Sequence, residues 1–279
     1  MPRFICETCG TQYPESADPP ARCAICEEPR QYVGWEGQRW TTLHELRESH
    51  RAKIRQEEPG LTGIGTDPSF AIGQRALLVQ APGGNVLWDC IALIDDEIGE
   101  RVEALGGIAA IAISHPHFYS SMVEWSHAFD APVYLHAADR RWVVNPSPRI
   151  EFWEDETKEL GLGLTLVRCG GHFAGGTVLH WADGSEGGGV LLSGDILQVV
   201  QDRRWVSFMY SYPNLVPLPA DEVRRIAVNV ERYSFERIYG AWFDRVVAED
   251  AKAVVRRSVE RYVGALAGTF PPPEESEGA

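Results

Sequence analysis

Three apolar runs in this chain each lead directly to a side chain that can bind a metal. GGIAAIAIS precedes His115 and His117, LGLTLVRCGG precedes His172, and GVLLSG precedes Asp195. Short apolar runs bounded by Gly or polar residues read as buried strands. Loops at strand ends collect along one edge of a sheet, where sites are usually built. His115 and His117 are two apart, so in extended chain they point the same way, and Pro116 between them restricts the backbone. One histidine at a strand end is ordinary. Three histidines and an aspartate in that position imply a fold that gathers them around a cation.

A second metal signal lies in the first thirty residues. Cys6 and Cys9, then thirteen residues, then Cys23 and Cys26 form two C-x2-C knuckles. Each knuckle can aim two thiolates at one ion, and together they complete a tetrahedron. The segment has few large apolar side chains, so the ion must supply folding energy, on the order of 10 kcal/mol for a structural zinc. Zinc there would hold structure, whereas iron would carry electrons. No flavin-binding segment is visible to serve as a redox partner for iron, so structural zinc is the expectation. Cys90 and Cys169 stand alone and read as buried small hydrophobes.

The rest of the chain reads as alternating short strands and amphipathic helices. WTTLHELRESHRAKIRQEE reads as one helix, with Thr42 and Glu45 at capping-box spacing. LTGIGT, FAIGQ, RALLVQAP and NVLWDC read as antiparallel strands separated by Gly, Pro and Asn. After the histidine pair come the helix SSMVEWSHAFD, the strand APVYLH and the short helix AADRRWVV. GTVLHWAD and GGVLLSGD are strands joined by a Gly-rich hairpin turn. PADEVRRIAVNVERY and AEDAKAVVRRSVERYVGALAG are amphipathic helices flanking the strand FERIYGAW. His127, His136, His44 and His50 read as structural or surface residues. His180 alternates with Leu179 and Trp181 and is expected at the surface. Two strand series with helices outside imply a layered α/β or α+β domain, with the strand order left open.

SHPH, GGHFAGGTVLH and LLSGD resemble successive motifs of the metallo-β-lactamase superfamily, over roughly residues 60 to 265. NVLWDC resembles its early strand ending in Asp. CETCG and CAIC resemble a rubredoxin-like zinc ribbon. The resemblance implies a four-layer αββα sandwich spanning residues 39–268, preceded by a ribbon over 1–38. The tail over 269–279, with Pro and acid but no core residues in PPPEESEGA, is expected to be disordered. It implies His115, His117, His172 and Asp195 as metal ligands, with Asp89 supporting them from behind. Tyr119 and Ser120 stand where the superfamily has two further ligands, and Trp242, or Phe243 beside it, stands where a late histidine belongs. The second metal position is thus left with Asp195 alone, and one ion, zinc or iron, is expected in the histidine site.

The resemblance implies a hydrolase acting on a small ester, thioester, lactone or amide through metal-activated water. Asp195 would ligate or act as base, and Tyr119 would donate to a developing oxyanion. The alternatives are a mononuclear iron oxygenase similar to the persulfide dioxygenases, using His115, His172 and Asp195, or a non-catalytic metal-binding module. Tyr210 and Tyr212, in an aromatic loop after Asp195, would wall the pocket. The net charge of -14 argues against nucleic-acid binding, which needs clustered Lys and Arg. No apolar run reaches the roughly 20 residues of a membrane span, and MPRFICETCG lacks a signal region. The expected setting is therefore cytoplasmic, with a small-molecule substrate, no membrane partner, and dimerisation through the ribbon as a further expectation to test.

Overall fold

Alternation along the strands decides the architecture. In Ala76–Val79, Leu77 and Val79 face one apolar cluster while Ala76 and Leu78 face another. In Val190–Gly194, Val190 and Leu192 share the first of these clusters, and Leu191 faces a third. Strands buried on both faces must lie between two covering layers. The shared cluster, with Leu61, Leu77, Trp88, Leu164, Leu179 and Leu192, is the interior between two sheets. The helices Asp96–Ala104 and Met122–Ala128 cover the outer face of one sheet, and Ala220–Glu231 and Ala251–Leu266 cover the other. The result is a four-layer αββα sandwich.

The structure, a computed structural model, describes residues 1–161 and 163–270. The expected disordered tail falls outside the described residues from position 271 onward. Among the described residues, no helix is long and apolar enough to cross a membrane.

The first sheet has seven strands. In spatial order they are Ile150–Trp153, Val133–His136, Ala110–Ala112, Val86–Trp88, Ala76–Val79, Leu61–Asp67 and Arg51–Glu58. The second has six, in the order Thr157–Gly161, Leu164–Arg168, Thr177–Trp181, Val190–Gly194, Arg237–Gly240 and Val246–Val247. Backbone bonds tie the sheets together at one edge. Thr177 N–H donates to Ser114 C=O (2.9 Å), and Arg75 N–H donates to Ala241 C=O (2.7 Å).

The helix expected over residues 40–58 is a correction. Helix forms only over Leu43–Ser49, behind the expected Thr42–Glu45 capping box. His50 turns to extended backbone, and Arg51–Glu58 becomes an edge strand paired with Leu61–Asp67. Its Lys, Arg, Gln and Glu are good helix formers, but backbone pairing across the Pro59-Gly60 turn prevails. FAIGQ is not a strand either. His180 is buried rather than exposed, with Nε2 2.7 Å from Ser234 C=O.

The N-terminal ribbon is a three-stranded sheet of Arg3–Cys6, Gln12–Glu15 and Trp40–Thr42. Its last strand, Trp40–Thr42, lies wholly past residue 38. The ribbon packs on the large domain next to the histidine loop. Gln12 N–H donates to Ser120 C=O (3.1 Å), and Arg3 pairs with Glu124 (2.7 Å). Trp142 and Ile72 of the large domain pack against the cysteine cluster.

Candidate metal centre

His115 and His117 leave the strand Ala110–Ala112 through a single turn of 3-10 helix, Pro116–Phe118. His172 lies in the loop between Leu164–Arg168 and Thr177–Trp181, and Asp195 directly follows Val190–Gly194. The stitched edge brings the four together. His115 Nε2 lies 3.2 Å from Asp195 Oδ1, His172 Nε2 lies 3.8 Å from the same oxygen, and His117 Nδ1 lies 3.2 Å from His172 Nε2. One ligand atom from each residue falls within 4.8 Å of the others. Tetrahedral bonds of about 2.0 to 2.1 Å give donor separations of about 3.3 Å, so the spacing suits one ion.

The chemistry of the donors agrees with this spacing. All four side chains are buried. His115 Nε2 and Asp195 Oδ1 have no hydrogen-bond partner among the described residues, a costly state for buried polar atoms. His172 Nδ1–H donates to Tyr210 C=O (2.8 Å), which leaves a lone pair on Nε2 facing His117. Burial pushes the pKa of His172 down to about 4, and its hydrogen bonds to the Tyr210 and Met209 carbonyls oppose this. Burial, followed by the neighbouring imidazoles, holds His115 well below the usual histidine range, and burial and His172 do the same to His117. Neutral imidazoles are the form that binds metal. Asp195 is pushed well above the usual carboxylate range by burial and then by Asp89. A cation would reverse that shift.

Asp89 is buried behind the ligands but reaches them through Ser114. Its Oδ1 accepts the Ser114 N–H (2.7 Å), and Ser114 Oγ lies 2.9 Å from His115 Nδ1. Burial raises the Asp89 pKa to about 7, against the two Ser114 hydrogen bonds. Gly194, at φ +54°, keeps the space clear, since a Cβ there would stand 2.7 Å from Ser114 Oγ. Ser114 was missed from the sequence, although its place beside His115 was a signal.

The residues standing at the superfamily's other ligand positions take other roles. Ser120 Oγ accepts from Gln74 Nε2 (3.0 Å), and its carbonyl accepts from the ribbon. Tyr119 is buried in the cluster on the helix side of the first sheet, with Asp139 raising its pKa further after burial. Trp242 donates Nε1–H to Ile72 C=O (3.1 Å) and stands edge-on to Phe118. Tyr212 donates to the Asp195 carbonyl (2.8 Å), and its ring lies 5.7 Å from that of His172.

Phe173 and Arg30 were not legible in the sequence. The Phe173 ring stands edge-on to His117 (4.8 Å) and His172 (5.1 Å). The Arg30 guanidinium, from the ribbon, lies 4.5 Å from the Phe173 ring centre and 4.3 Å from that of Tyr210. Its charge contributes to the lowered pKa of all three histidines.

In the ribbon, all four cysteines are buried and none is in a disulfide. Cys6 and Cys26 Sγ are 3.5 Å apart, and Cys9 and Cys23 Sγ are 3.6 Å apart. Zinc–sulfur bonds of about 2.3 Å would set such separations near 3.8 Å. These thiols and the histidine set are the two groups among the described residues able to hold an ion.

No protein-family model matches the chain. The uncharacterized protein YmaE of Bacillus subtilis (strain 168) is 53% identical over 268 residues, which is 95% of this chain and 97% of that one. Among solved structures, the DIM-1 metallo-β-lactamase superimposes with a TM-score of 0.58 at 12% identity, covering 77% of this chain and 98% of its own. A metallo-β-lactamase of Cronobacter sakazakii gives 0.51 at 18% identity, covering 77% and 93%. The chain belongs to the same family as YmaE, and it has the metallo-β-lactamase fold with a four-cysteine ribbon in front.

Proposed function

We propose that the protein is a mononuclear metal-dependent hydrolase of a small ester, thioester, lactone or amide. The observation that carries this reading is the convergence of four buried donors, two of them presenting unpartnered atoms, on one point at a sheet edge. An ion bound there supplies a water that loses its proton near neutral pH. His115, His117 and His172 would hold that ion. Asp195, beside His115, either joins them or takes the water's proton and returns it to the leaving oxygen, sulfur or nitrogen. Asp89 and Ser114 fix the His115 ring, and the Tyr210 carbonyl fixes the His172 ring, which keeps the lone pairs aimed. Tyr119 lies in the apolar core, so we give it no step.

The fourth donor favours zinc over an iron oxygenase. A 2-His-1-carboxylate centre works with three protein ligands and open positions, and here His117 Nδ1 stands with His115, His172 and Asp195. The acidic balance supports a small-molecule substrate over nucleic acid.

The test is a panel of aryl ester, thioester, lactone and anilide substrates, assayed with chelator-treated protein before and after zinc is restored. Zinc-dependent turnover of at least one class is expected. Equal rates with and without metal across the panel, or oxygen uptake with a thiol substrate in the iron form alone, would contradict the reading.

A further inference from the structure

The ribbon lies against the metal centre. Its residues 29–31 are clamped to the 209–214 segment, whose Tyr210 carbonyl accepts from His172. Ser211 Oγ donates to Arg30 C=O (3.0 Å), and Asn214 Nδ2 donates to the carbonyls of Pro29 and Gln31, both at 3.1 Å. These bonds place the Arg30 side chain over Phe173 and Tyr210, two residues that touch the metal-binding imidazoles directly.

Glu28 then fixes which edge of the guanidinium is used. One carboxylate oxygen takes the backbone N–H of Arg30 (2.8 Å), and the other pairs with Nη1. Nε is buried without a partner, and Nη2 has no hydrogen bond among the described residues. Nε and Nη2 form the side-on edge of a guanidinium, the pair that meets a planar carboxylate with two parallel bonds. Aromatic rings cover the guanidinium, so in-plane contact is what remains. An arginine largely withdrawn from water, with that edge unused and one aromatic side chain away from a metal site, is a poor surface residue and a good anchor.

We propose that the ribbon is a wall of the catalytic site and that Arg30 is its specificity-determining residue, binding the carboxylate of an anionic acyl substrate. This rests on the hydrolase reading and narrows it to substrates carrying a carboxylate beyond the scissile carbonyl. Glu28 is a positioning residue for Arg30. The ribbon's ion thereby acts on specificity at a distance, because it holds the segment that delivers the arginine.

The probes are ω-mercaptoalkanoic acids of two to four carbons, each paired with the mercapto-alcohol of equal length. The thiolate binds the metal, and only the acid can reach Arg30. Affinities are measured by calorimetry on zinc-loaded wild type, Arg30→Gln and Arg30→Lys, with metal content and thermal midpoint recorded for each. In wild type, at least one acid should bind tenfold or more tighter than its alcohol. Arg30→Gln should bring the pair within twofold, and Arg30→Lys should fall between, since it keeps the charge over the rings and loses the side-on edge. If Arg30→Gln loses the ribbon's metal, Arg30→Lys alone decides. An acid preference absent from wild type, or undiminished in a variant with full metal content, overturns the assignment and leaves the metal site standing. If neither thiol binds the zinc-loaded protein, the hydrolase reading falls and the assignment falls with it.

Discussion

The ribbon and the sandwich each hold a buried quartet of metal ligands, yet the two quartets differ in origin and in consequence. The cysteines come from 21 consecutive positions, from Cys6 to Cys26. Few apolar side chains of the segment itself join them, so without an ion it has little core of its own to keep its shape. The histidine set spans His115 to Asp195 and is imposed by two packed sheets with a large apolar interior. One site makes its fold, whereas the other is made by its fold. A site of the second kind can leave polar atoms unpartnered and acids protonated, because the surrounding packing offsets the cost.

The sharpest way to break this contrast is to remove a ligand from each side. Cys9→Ser should abolish the ribbon's ion and with it on the order of 10 kcal/mol of ribbon stability. Limited proteolysis would then cut residues 1–42 while the sandwich stays protected and keeps its own ion. Uniform protection would show that the ribbon does not depend on its metal. His172→Ala should do the reverse. Activity should fall at least about a thousandfold, roughly 4 kcal/mol in transition-state stabilisation, with circular dichroism and the ribbon's ion unchanged.

Asp89 sharpens the comparison, because the ribbon's buried acid, Glu28, pairs with Arg30, whereas Asp89 is in no ion pair among the described residues. Its folded-state pKa, about 7, lies above the ordinary value of 3.8. The folded state therefore holds the proton longer than the unfolded chain does. In metal-free protein, stability is intact below pH 3.8 and is lost progressively as pH rises through 7. Asp89→Asn keeps the acceptor for Ser114 N–H and removes the charge. Metal-free Asp89→Asn should be more stable than wild type at pH 8, by a few kcal/mol at most, and matched to it at pH 4. Denaturant melts at both values check this, and a gap of equal size at both would refute the cause. A smaller effect is expected at Ser114. Ser114→Ala frees the His115 ring and should weaken zinc at the histidine site by about 10- to 100-fold in chelator competition, with no change at the cysteines.

How far the sequence carried the reading follows the same contrast. The cysteine knuckles were readable because they are contiguous. The histidine set was readable because each ligand ends a buried strand with a strong apolar signature. Four strands of the two large sheets were missed, namely Arg51–Glu58, Ile150–Trp153, Thr157–Gly161 and Val246–Val247, and all lie at sheet edges. Edge strands carry charge and face water on one side, so RAKIRQEE looks like a helix and TKELG like a loop. Arg30 was invisible for another reason. Its partners Phe173 and Tyr210 lie far along the chain, and no local pattern in EEPRQ announces that it will stand over a distant histidine site. Trp242 was read as a departure from the ligand pattern. Its packing on Phe118 and Ile72 depends on contacts that only the folded chain brings together.

The central claim is that this chain carries two metal sites, one owned by each region. Elemental analysis of protein purified without added metal, compared with His172→Ala, tests it directly. The account predicts two ions per chain in wild type and one in the variant, the survivor being bound by the cysteines. A single ion in both proteins, bound by the cysteines, would contradict it.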